Sequence, residues 1–448
     1  MKITIVGTGY VGLISGVCLA SKGNEVICVD TNPKIIQNLN IGIPHIYEKG
    51  LEELLNKVIG EGLFRATQDL NEALDISELA IVAVGTPSSN GTIDLRYIKE
   101  TARNIGEYIR VKKKKISIII KSTVIPGTTD TFVKNEIENL SGIKHPEFGL
   151  GMNPEFLREG NAIEDFMSPD RIVLGYEDLD TLHLLEKLYA PWNIDKVKVN
   201  CRTAEMIKYA NNSMLALQIS ASNEIANLSA CIGNIDSMEV FKAVHLDKRW
   251  NPINQNGFRT NPEILDYLVP GCGFGGSCFP KDIEALVALG DFEKNEMKVM
   301  KSVLDVNSTQ PNQVIKIIEK DIINLKNKNA LILGLAFKPN TDDVRESAST
   351  KIIKDLIDRE VNIVAHDPIA INNFQNIYKD ISKEIEFVKN WTDSIEKADI
   401  IIICTKWEEY LKLNKLKLSD KIIFDARRML NINDLKNKSK YRSIGLRI

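Results

Sequence analysis

The chain opens on an apolar run that enters a glycine-rich turn, and this opening limits the folds available to it. Residues 2–12 read KITIVGTGYVG, and the next apolar run, EVICVD, ends in Asp30. Buried parallel strands are continuous apolar runs of this kind, because helices cover both faces of their sheet. A strand, a glycine turn, a helix and a second strand make the first half of a doubly wound sheet. We therefore predict an α/β fold.

The glycine turn also predicts the binding of a dinucleotide. It has the G-x-G-x-x-G spacing and is formed by Gly7, Gly9, Tyr10, Val11 and Gly12. Such glycines permit a tight turn and a close approach of the backbone to a pyrophosphate, which the helix N-terminus attracts. An acid at the end of the second strand accepts hydrogen bonds from ribose hydroxyls and repels a 2′-phosphate, so Asp30 favours NAD over NADP. The alternative is a tight turn without a ligand.

The rest of the chain divides into three segments by pattern. Up to about residue 200, apolar runs such as LAIVAVGTP and ISIIIKSTV alternate with helical patterns. From Thr203 nearly thirty residues have apolar positions at helical spacing without glycine or proline, which predicts a long central helix. The runs NALILGLAF, VNIVAHDP, ADIIIICT and KIIFDA then restore the α/β pattern. We predict Rossmann-like doubly wound domains at 1–200 and 313–448, joined by a helical domain at 201–312.

Composition excludes several classes of protein. A net charge of -3 gives no reason to expect a nucleic-acid partner, and every apolar run is too short to cross a membrane. The seven cysteines are odd in number and scattered, and no signal peptide precedes the first strand, so we expect a reduced, cytoplasmic protein. Cys272 and Cys278 lack the spacing of a zinc site and have no histidines nearby, so we expect no metal.

Residues 270–282, PGCGFGGSCFPKD, are the densest group of reactive side chains in the sequence. Two cysteines, Cys272 and Cys278, lie in a glycine-rich stretch that leads into Lys281 and Asp282. A thiol followed by a lysine and a carboxylate is compatible with several chemistries. For most cysteines the commoner fate is burial as an inert apolar side chain, which we expect for the following: Cys18, Cys28, Cys231, Cys272 and Cys404.

Eight segments, in order along essentially the whole chain, resemble the UDP-glucose/GDP-mannose dehydrogenase family. They are GTGYVG, IPHIYEKGLEELL, VGTPSSNGTIDL, KSTVIPGTT, NPEFLREGNAIEDFMSPDRIVLG, AEMIKYANNS, GFGGSCFPKD and FKPNTDDVRES. The resemblance implies an NAD-dependent, four-electron oxidation of a nucleotide sugar at C6. Phe279 and Lys281 in SCFPKD resemble the UDP-glucose branch, and GDP-mannose and UDP-N-acetylmannosamine are the alternative substrates.

The resemblance also implies the catalytic roles. Cys278 is expected to bind the intermediate aldehyde and to form a thioester, which water then hydrolyses. Lys208 and Asn212 are expected to hold the sugar's O6 and to stabilise a developing oxyanion. The acid/base and water-positioning roles fall to Asp282, Thr123 and Glu159.

The binding residues are implied in the same way. Besides the glycine turn and Asp30, the expected cofactor contacts are Lys34, Thr86, Thr123, Glu159, Lys281 and Arg345. The expected substrate contacts are Glu155, Phe156, Leu157, Arg158, Lys208, Asn212, Arg249, Tyr267, Leu268, Gly271, Gly275 and Lys338. Lys338 assigns the nucleotide sugar to the C-terminal domain. The segment between Arg249 and Tyr267 is longer than the family pattern, so it is expected to alter the sugar pocket or a subunit contact.

A homodimer is also expected. The long helix that begins near Thr203 has more apolar positions than packing within one subunit requires. Two further functions remain as alternatives. A two-electron β-hydroxyacid dehydrogenase would need neither Cys278 nor the last α/β segment, and a non-catalytic nucleotide-sugar sensor would not need the reactive side chains.

Overall fold

The computed structural model describes residues 1–89, 91–416, 418, 420–435 and 440–446. The chain folds as two compact units, Met1–Asn211 and Asn212–Ile448. The division falls inside one 32-residue helix, Cys201–Ile232, which contains no glycine or proline and is the long helix that the sequence predicts.

The first unit is built from strands and helices in alternation. Its strands are β1 Lys2–Val6, β2 Glu25–Val29, β3 Phe64–Thr67, β4 Leu79–Val82, β5 Ser88–Ser89, β6 Thr92–Ile93, β7 Ser117–Ile120, β8 Gly149–Met152, β9 Ile172–Tyr176 and β10 Lys196–Val199. Its helices are α1 Tyr10–Ser21, α2 Pro33–Asn40, α3 Leu51–Gly60, α4 Leu70–Ile76, α5 Arg96–Lys112, a π-helix at Thr128–Val133, α6 Lys134–Ser141, α7 Ala162–Met167, α8 Leu179–Leu188 and the start of α9, Cys201–Ile232.

The main sheet of this unit has the strand order β10-β9-β8-β7-β4-β1-β2-β3. Its strands from β8 to β3 are parallel, with Val6 beside both Val29 and Val82, and the last two, β9 and β10, run antiparallel to them. The carboxyl ends of β1, β2, β4 and β7 therefore share one edge, where the loops that follow them converge. Ligands bind at this edge in doubly wound sheets.

Apolar side chains fill both faces of this sheet. Ile3 and Ile5 of β1 are fully buried in a cluster with α1, and Ile118 and Ile120 of β7 lie in a second cluster with α5. Alternate residues of a strand point to opposite faces, which is why continuous apolar runs suit a sheet covered twice.

The second unit contains the remaining elements. Its helices are the end of α9, then α10 Ser237–Val244, α11 Phe279–Phe292, α12 Lys298–Ile318, α13 Ala348–Ile357, α14 Ile371–Ile377, α15 Lys379–Ser382 and α16 Ile432–Leu435. Shorter 3-10 helices lie at Glu263–Tyr267, Trp391–Ser394 and Glu408–Lys415. Its strands are β11 Asn329–Leu333, β12 Asn362–His366, β13 Ile385–Phe387, β14 Ile400–Ile403, β15 Ile422–Asp425 and β16 Lys440–Ser443.

The second sheet is parallel throughout, in the order β13-β12-β11-β14-β15-β16. This is the 3-2-1-4-5-6 order of a Rossmann sheet, and the first six strands of the main sheet in unit one follow it as well. The predicted fold class, two doubly wound sheets with a helical segment between them in sequence, is confirmed. No helix in the described part of the chain is long and apolar enough to cross a membrane.

The cysteine predictions are mostly confirmed. Cys18, Cys28, Cys272 and Cys404 are buried, but Cys231 is exposed, so the expectation for that residue is wrong. It lies in the last turn of α9, beside Ile232, which is 65% exposed.

Candidate active site

The glycine turn of the first unit has the geometry that dinucleotide binding requires. Gly7 has φ +93°, and a Cβ there would lie 2.9 Å from the carbonyl oxygen of Ala83. A Cβ on Gly12 would lie 1.9 Å from the oxygen of Gly7, so strand and helix pack closely only with glycine there. Gly9 is the N-cap residue of α1 and supplies no side-chain cap, and a Cβ there would meet nothing within 4 Å. The first-turn N–H groups of α1 thus fit a pyrophosphate.

Asp30 is fixed by the same turn. Its Oδ2 accepts hydrogen bonds from Thr8 N (3.0 Å) and Thr8 Oγ1 (2.5 Å), and its Oδ1 accepts one from Asn32 N (3.0 Å). Partial burial raises the pKa of the Asp30 carboxyl, but these hydrogen bonds outweigh it and the net pKa is lowered. Asp30 is therefore an oriented carboxylate. Lys34, another predicted cofactor contact, is exposed in the first turn of α2.

Two further predicted residues meet at the same edge of the sheet. Thr86 Oγ1 donates to the carbonyl oxygen of Thr123 at 2.9 Å, which joins the loops after β4 and β7. Ser122 Oγ adds a second link by donating to Val84 O at 2.7 Å.

Glu155 and Lys208 form a buried ion pair in the first unit. Lys208 Nζ lies 2.8 Å from Glu155 Oε1, and the two side chains are 4% and 6% exposed. Burial raises the pKa of the Glu155 carboxyl, but the charge and hydrogen bond of Lys208, the N–H of Leu157 and the charge of Lys121 together outweigh burial, and the net pKa is lowered. The ring of Phe156 lies 5.6 Å from Lys208 Nζ. The amine of Lys208 is thus placed between a carboxylate and an aromatic face.

A second buried lysine, Lys121, lies near this ion pair and was not predicted. Its Nζ donates to Asn153 Oδ1 at 2.8 Å, and burial lowers its pKa to about 8, with Glu155 opposing the shift and Lys208 adding to it. The sequence signal was weak, because a lysine after a buried strand is usually exposed at the end of the sheet.

The loop that contains Glu159 is bound to the glycine turn through Glu48, which the sequence did not identify. Glu48 accepts hydrogen bonds from Gly160 N (2.8 Å), Ala162 N (2.9 Å) and the hydroxyl of Tyr10. Tyr10 begins α1, so one buried carboxylate connects the predicted cofactor turn with the predicted substrate loop. Leu157 in this loop donates its N–H to Glu155, and Arg158 is paired with Asp165.

In the second unit, Cys278 precedes the first turn of α11 and is partly exposed. A helix N-terminus stabilises a negative charge, which suits a thiolate nucleophile. Asp282 lies one turn later, is 1% exposed, and binds Asn212 Nδ2 and Lys281 Nζ, each at 2.7 Å. The structure thus brings together four residues that the sequence separates by up to 70 positions.

The cysteine loop packs against the loop that contains Lys338 and Arg345. Gly276 N donates to Arg345 O at 2.9 Å, and a Cβ on Gly275 would lie 2.3 Å from Glu346 O. The Lys338 ammonium lies over the ring of Phe337, and the Arg345 guanidinium pairs with Asp343. The predicted substrate contact Lys338 and the predicted cofactor contact Arg345 therefore belong to a segment that touches the thiol loop.

Arg427 joins the same two loops and was not predicted. It donates to Cys404 O (2.6 Å), Gly273 O (3.3 Å) and Phe337 O (3.4 Å). FDARR, at the end of a strand, was a usable signal, because phosphate ligands cluster at that edge.

The longer segment between Arg249 and Tyr267 forms a small closed loop. Asn251 and Asn261 exchange two hydrogen bonds across its base, and Phe258 at its tip is 71% exposed. Arg249 is paired with Asp247, and its side chain is 87% exposed. Tyr267 packs near Phe279 at 6.3 Å between ring centroids, and Leu268 is buried.

The second sheet has an acid at the position that Asp30 occupies in the first. Asp367 follows β12 as Asp30 follows β2, but its oxygens accept hydrogen bonds from four backbone N–H groups, Leu335, Ala336, Ile369 and Ala370, and from Trp407 Nε1. A carboxylate has about four acceptor positions, so Asp367 has none left for a ribose. The second unit is therefore not a second copy of the dinucleotide site.

Family models match three consecutive parts of the chain. The UDP-glucose/GDP-mannose dehydrogenase family's NAD binding domain matches residues 1–193, its central domain 202–309 and its UDP binding domain 331–432. The chain belongs to this family. The match to the NAD binding domain also confirms NAD as the cofactor.

Individual relatives agree with this assignment over the full length. The chain is 36% identical to the UDP-glucose 6-dehydrogenase of Haloferax volcanii, covering 96% of this chain and 97% of that one. It is 37% identical to the UDP-glucose 6-dehydrogenase of Rickettsia conorii, covering 100% of both. A UDP-glucose dehydrogenase structure from Pyrobaculum islandicum superposes with a TM-score of 0.89 at 36% identity, covering 99% of this chain and 98% of that chain.

Proposed function

We propose that the protein is a UDP-glucose 6-dehydrogenase that oxidises C6 of the sugar from alcohol to carboxylate. The observation that carries the mechanism is the start of α11, where Cys278, Lys281 and Asp282 lie within one turn and Asp282 binds Asn212. The residues of the glycine turn and Asp30 would hold NAD. Bound there, NAD would supply the hydride acceptor for both oxidations of C6, with two NAD consumed per sugar.

The thiol is required because the hydrogen that remains on the aldehyde carbon cannot leave as hydride until a nucleophile has added to that carbon. The Cys278 thiolate forms a bond to C6 of the aldehyde, the C=O electron pair moves to O6, and O6 takes a proton. Loss of the C6 hydride from this thiohemiacetal, together with return of the O6 proton to Asp282 and Lys208, leaves a thioester. Water then adds to C6, the C–S bond breaks, and the thiol and the carboxylate are released.

The neighbouring side chains serve these steps. Lys208 and Asn212, four residues apart on α9, bind O6 and stabilise its negative charge. Asp282 exchanges the proton of O6 with Lys208 through a water that Thr123 holds, and Glu159 activates the hydrolytic water. Support for the placement of Lys208 comes from its buried contact with Glu155.

The nucleotide sugar binds through the second unit. Lys338, Arg249 and the backbone of Gly271 and Gly275 contact it, with Tyr267 and Leu268 lining the sugar. Phe156, Leu157 and Arg158 complete the sugar site, and Thr86, Lys34, Lys281 and Arg345 complete the NAD site. The supporting facts are the match of 331–432 to a UDP binding domain and the contacts of the thiol loop with the segment containing Lys338.

UDP-glucose is favoured over the two alternative substrates. The structure of a UDP-D-ManNAc dehydrogenase from Pyrococcus horikoshii has a TM-score of 0.82 at 26% identity. That of a GDP-mannose dehydrogenase from Pseudomonas aeruginosa has a TM-score of 0.55 at 31% identity. Each of these two structures has a lower TM-score and a lower sequence identity than the UDP-glucose dehydrogenase from Pyrobaculum islandicum.

We also propose a homodimer formed along α9, with functional segments at 1–200, 201–312 and 313–448. Exposed apolar residues follow one face of α9: Met206, Met214, Ile225, Leu228 and Ile232. Their spacing keeps them within an arc of about 100° on the helix, the width of a packing face. The cytoplasm is the proposed compartment, because all seven cysteines are free thiols.

Turnover of a substrate panel tests the function. Purified protein is given NAD with UDP-glucose, GDP-mannose or UDP-N-acetylmannosamine, and NADH and sugar products are quantified. UDP-glucose should react fastest and yield UDP-glucuronate with two NADH per sugar. Faster turnover of another sugar would contradict the substrate, and one NADH per sugar with aldehyde release would contradict the four-electron reaction.

A further inference from the structure

The backbone just before Cys278 is held by amide side chains. Gly271 N donates to Asn223 Oδ1 at 2.8 Å, and Gln310 Nε2 donates to Gly271 O at 2.9 Å. Phe274 N donates to Asn307 Oδ1 at 2.8 Å, and Asn307 Nδ2 donates back to Phe274 O at 3.0 Å. We call Asn223, Asn307 and Gln310 the amide clamp; they are 0%, 8% and 0% exposed.

The amide clamp is anchored to two long helices. Asn223 belongs to α9, and Asn307 and Gln310 belong to α12. Gln310 is itself fixed by Asn227 of α9, whose Nδ2 donates to Gln310 Oε1 at 2.8 Å. The clamp therefore ties the thiol loop to the helix that also contains Asn212.

The path of the loop permits little adjustment. Gly273 has φ +94°, and a Cβ there would lie 2.7 Å from Asn307 Oδ1. Beyond Phe274, Gly276 is bonded to Arg345 O. Only three residues separate Phe274 from Cys278, so a shift at Phe274 is transmitted to the thiol.

We propose that the amide clamp is a positioning device for Cys278, an inference that rests on the proposed role of that thiol. Amides can satisfy both the N–H and the C=O of one backbone residue, as Asn307 does, and they carry no charge. A carboxylate in the same place would disfavour the thiolate, and it could not donate to the carbonyl. The clamp therefore fixes the nucleophile without opposing its ionisation.

The clamp should matter most in the steps that use the thiol. A misplacement of about 1 Å costs on the order of 100-fold in a reaction that depends on alignment. Conversion of the alcohol to the aldehyde does not use the Cys278 sulfur. Oxidation of the aldehyde does, so a weakened clamp should lower the ratio of the second rate to the first.

Two isosteric substitutions separate position from charge. Asn307→Asp keeps an acceptor for Phe274 N but loses the donor to Phe274 O. Within the described part of the chain Asn223 Nδ2 has no partner, so Asn223→Asp adds a similar acid yet keeps its contact with Gly271 N. Thr309→Ala, on an exposed position of α12, is the control for the helix, because its hydroxyl bonds only to Asp305 O and Val306 O.

Four quantities are measured on the full-length enzyme. They are the rate of oxidation of UDP-glucose, the rate of oxidation of the isolated 6-aldehyde of UDP-glucose, the KM for NAD, and the rate of alkylation of Cys278 by iodoacetamide as a function of pH. Asn307→Asp should slow aldehyde oxidation roughly 10- to 100-fold and slow the alkylation, with KM for NAD unchanged. Asn223→Asp should lose much less, and Thr309→Ala should match wild type.

The outcomes separate the clamp from the proposed function. Aldehyde oxidation at the wild-type rate in Asn307→Asp, together with its loss in Cys278→Ser, would refute the clamp and keep the thiol mechanism. Aldehyde oxidation by Cys278→Ser would refute the mechanism itself. An equal loss of both oxidation steps, with a lower thermal midpoint, would show a merely structural role. If Asn307→Asp does not fold, Gln310→Glu gives the same test, because it loses the donor to Gly271 O together with a long bond to Asn227 Oδ1.

Discussion

Replacing Asp30 with alanine should weaken NAD binding through the loss of one charged hydrogen bond. A carboxylate has about four acceptor positions, and Thr8 and Asn32 occupy three of those on Asp30. One remains for a ribose hydroxyl. A hydrogen bond to a charged group contributes about 1.5–3 kcal/mol, so the Kd for NAD should rise roughly 10- to 150-fold. NADP should lose less or gain, because the repulsion of its 2′-phosphate disappears.

Calorimetric titration of NAD, NADP and UDP-glucose into this one variant measures the effect. Thr8→Val is the control: it removes one hydrogen bond to Asp30 and leaves the carboxylate in place, so NAD affinity should fall far less. The Kd for UDP-glucose should hardly change, because that nucleotide is assigned to the second unit. An equal loss for UDP-glucose would refute this division of the two nucleotides, and a wild-type preference for NADP would refute the role of Asp30.

Three further outcomes follow from the structure. Burial lowers the pKa of Lys121 to about 8 in the folded protein, against 10.5 for a free lysine. Between these pH values the unfolded chain binds one more proton than the folded chain, so the free energy of unfolding of the wild type should rise with pH, by on the order of 3 kcal/mol relative to Lys121→Met. Denaturant titrations measure this difference, and a difference that does not change with pH would contradict the burial of Lys121. Glu48→Gln, which turns one acceptor into a donor against Gly160 N or Ala162 N, should reduce kcat about tenfold or more with intact folding by circular dichroism; unchanged kcat would contradict its positioning role. Leu228 of α9 is 61% exposed, and Leu228→Glu should give a monomer in sedimentation velocity at micromolar concentration. Leu179→Glu, at a 63% exposed position of α8, is the control and should remain a dimer. A dimer in both variants would place the interface elsewhere.

The elements that sequence predicted best are those whose signal is local. All four residues of IIII at β14 and the last four of EVICV at β2 are buried, and all eight are apolar because both faces of the sheet are covered. The strand KVKV at β10 lies at the edge of its sheet and is mostly exposed, and GLGM at β8 lacks the β-branched residues that mark strands. Neither was predicted as a strand.

The residues of the candidate site also differ in whether they have a local sequence signal. Cys278, Lys208 and Asp282 belong to motifs that can be read from the sequence. Glu48 and Asn307 could not be found there, because each acts through backbone groups more than thirty residues away, Gly160 and Phe274. A carboxylate in a loop and an asparagine in a helix have no local feature that names such a partner.

Trapping of the covalent intermediate shows whether Cys278 is acylated during the reaction. The enzyme is mixed with NAD and the 6-aldehyde of UDP-glucose, quenched in acid within one turnover, and digested for peptide mass spectrometry. We expect an acyl adduct of the sugar nucleotide on the peptide with Cys278, absent without NAD, absent in Cys278→Ser and unaffected by Cys272→Ser. Full production of UDP-glucuronate by Cys278→Ser, or an adduct on Cys272 in place of Cys278, would contradict the thiol mechanism.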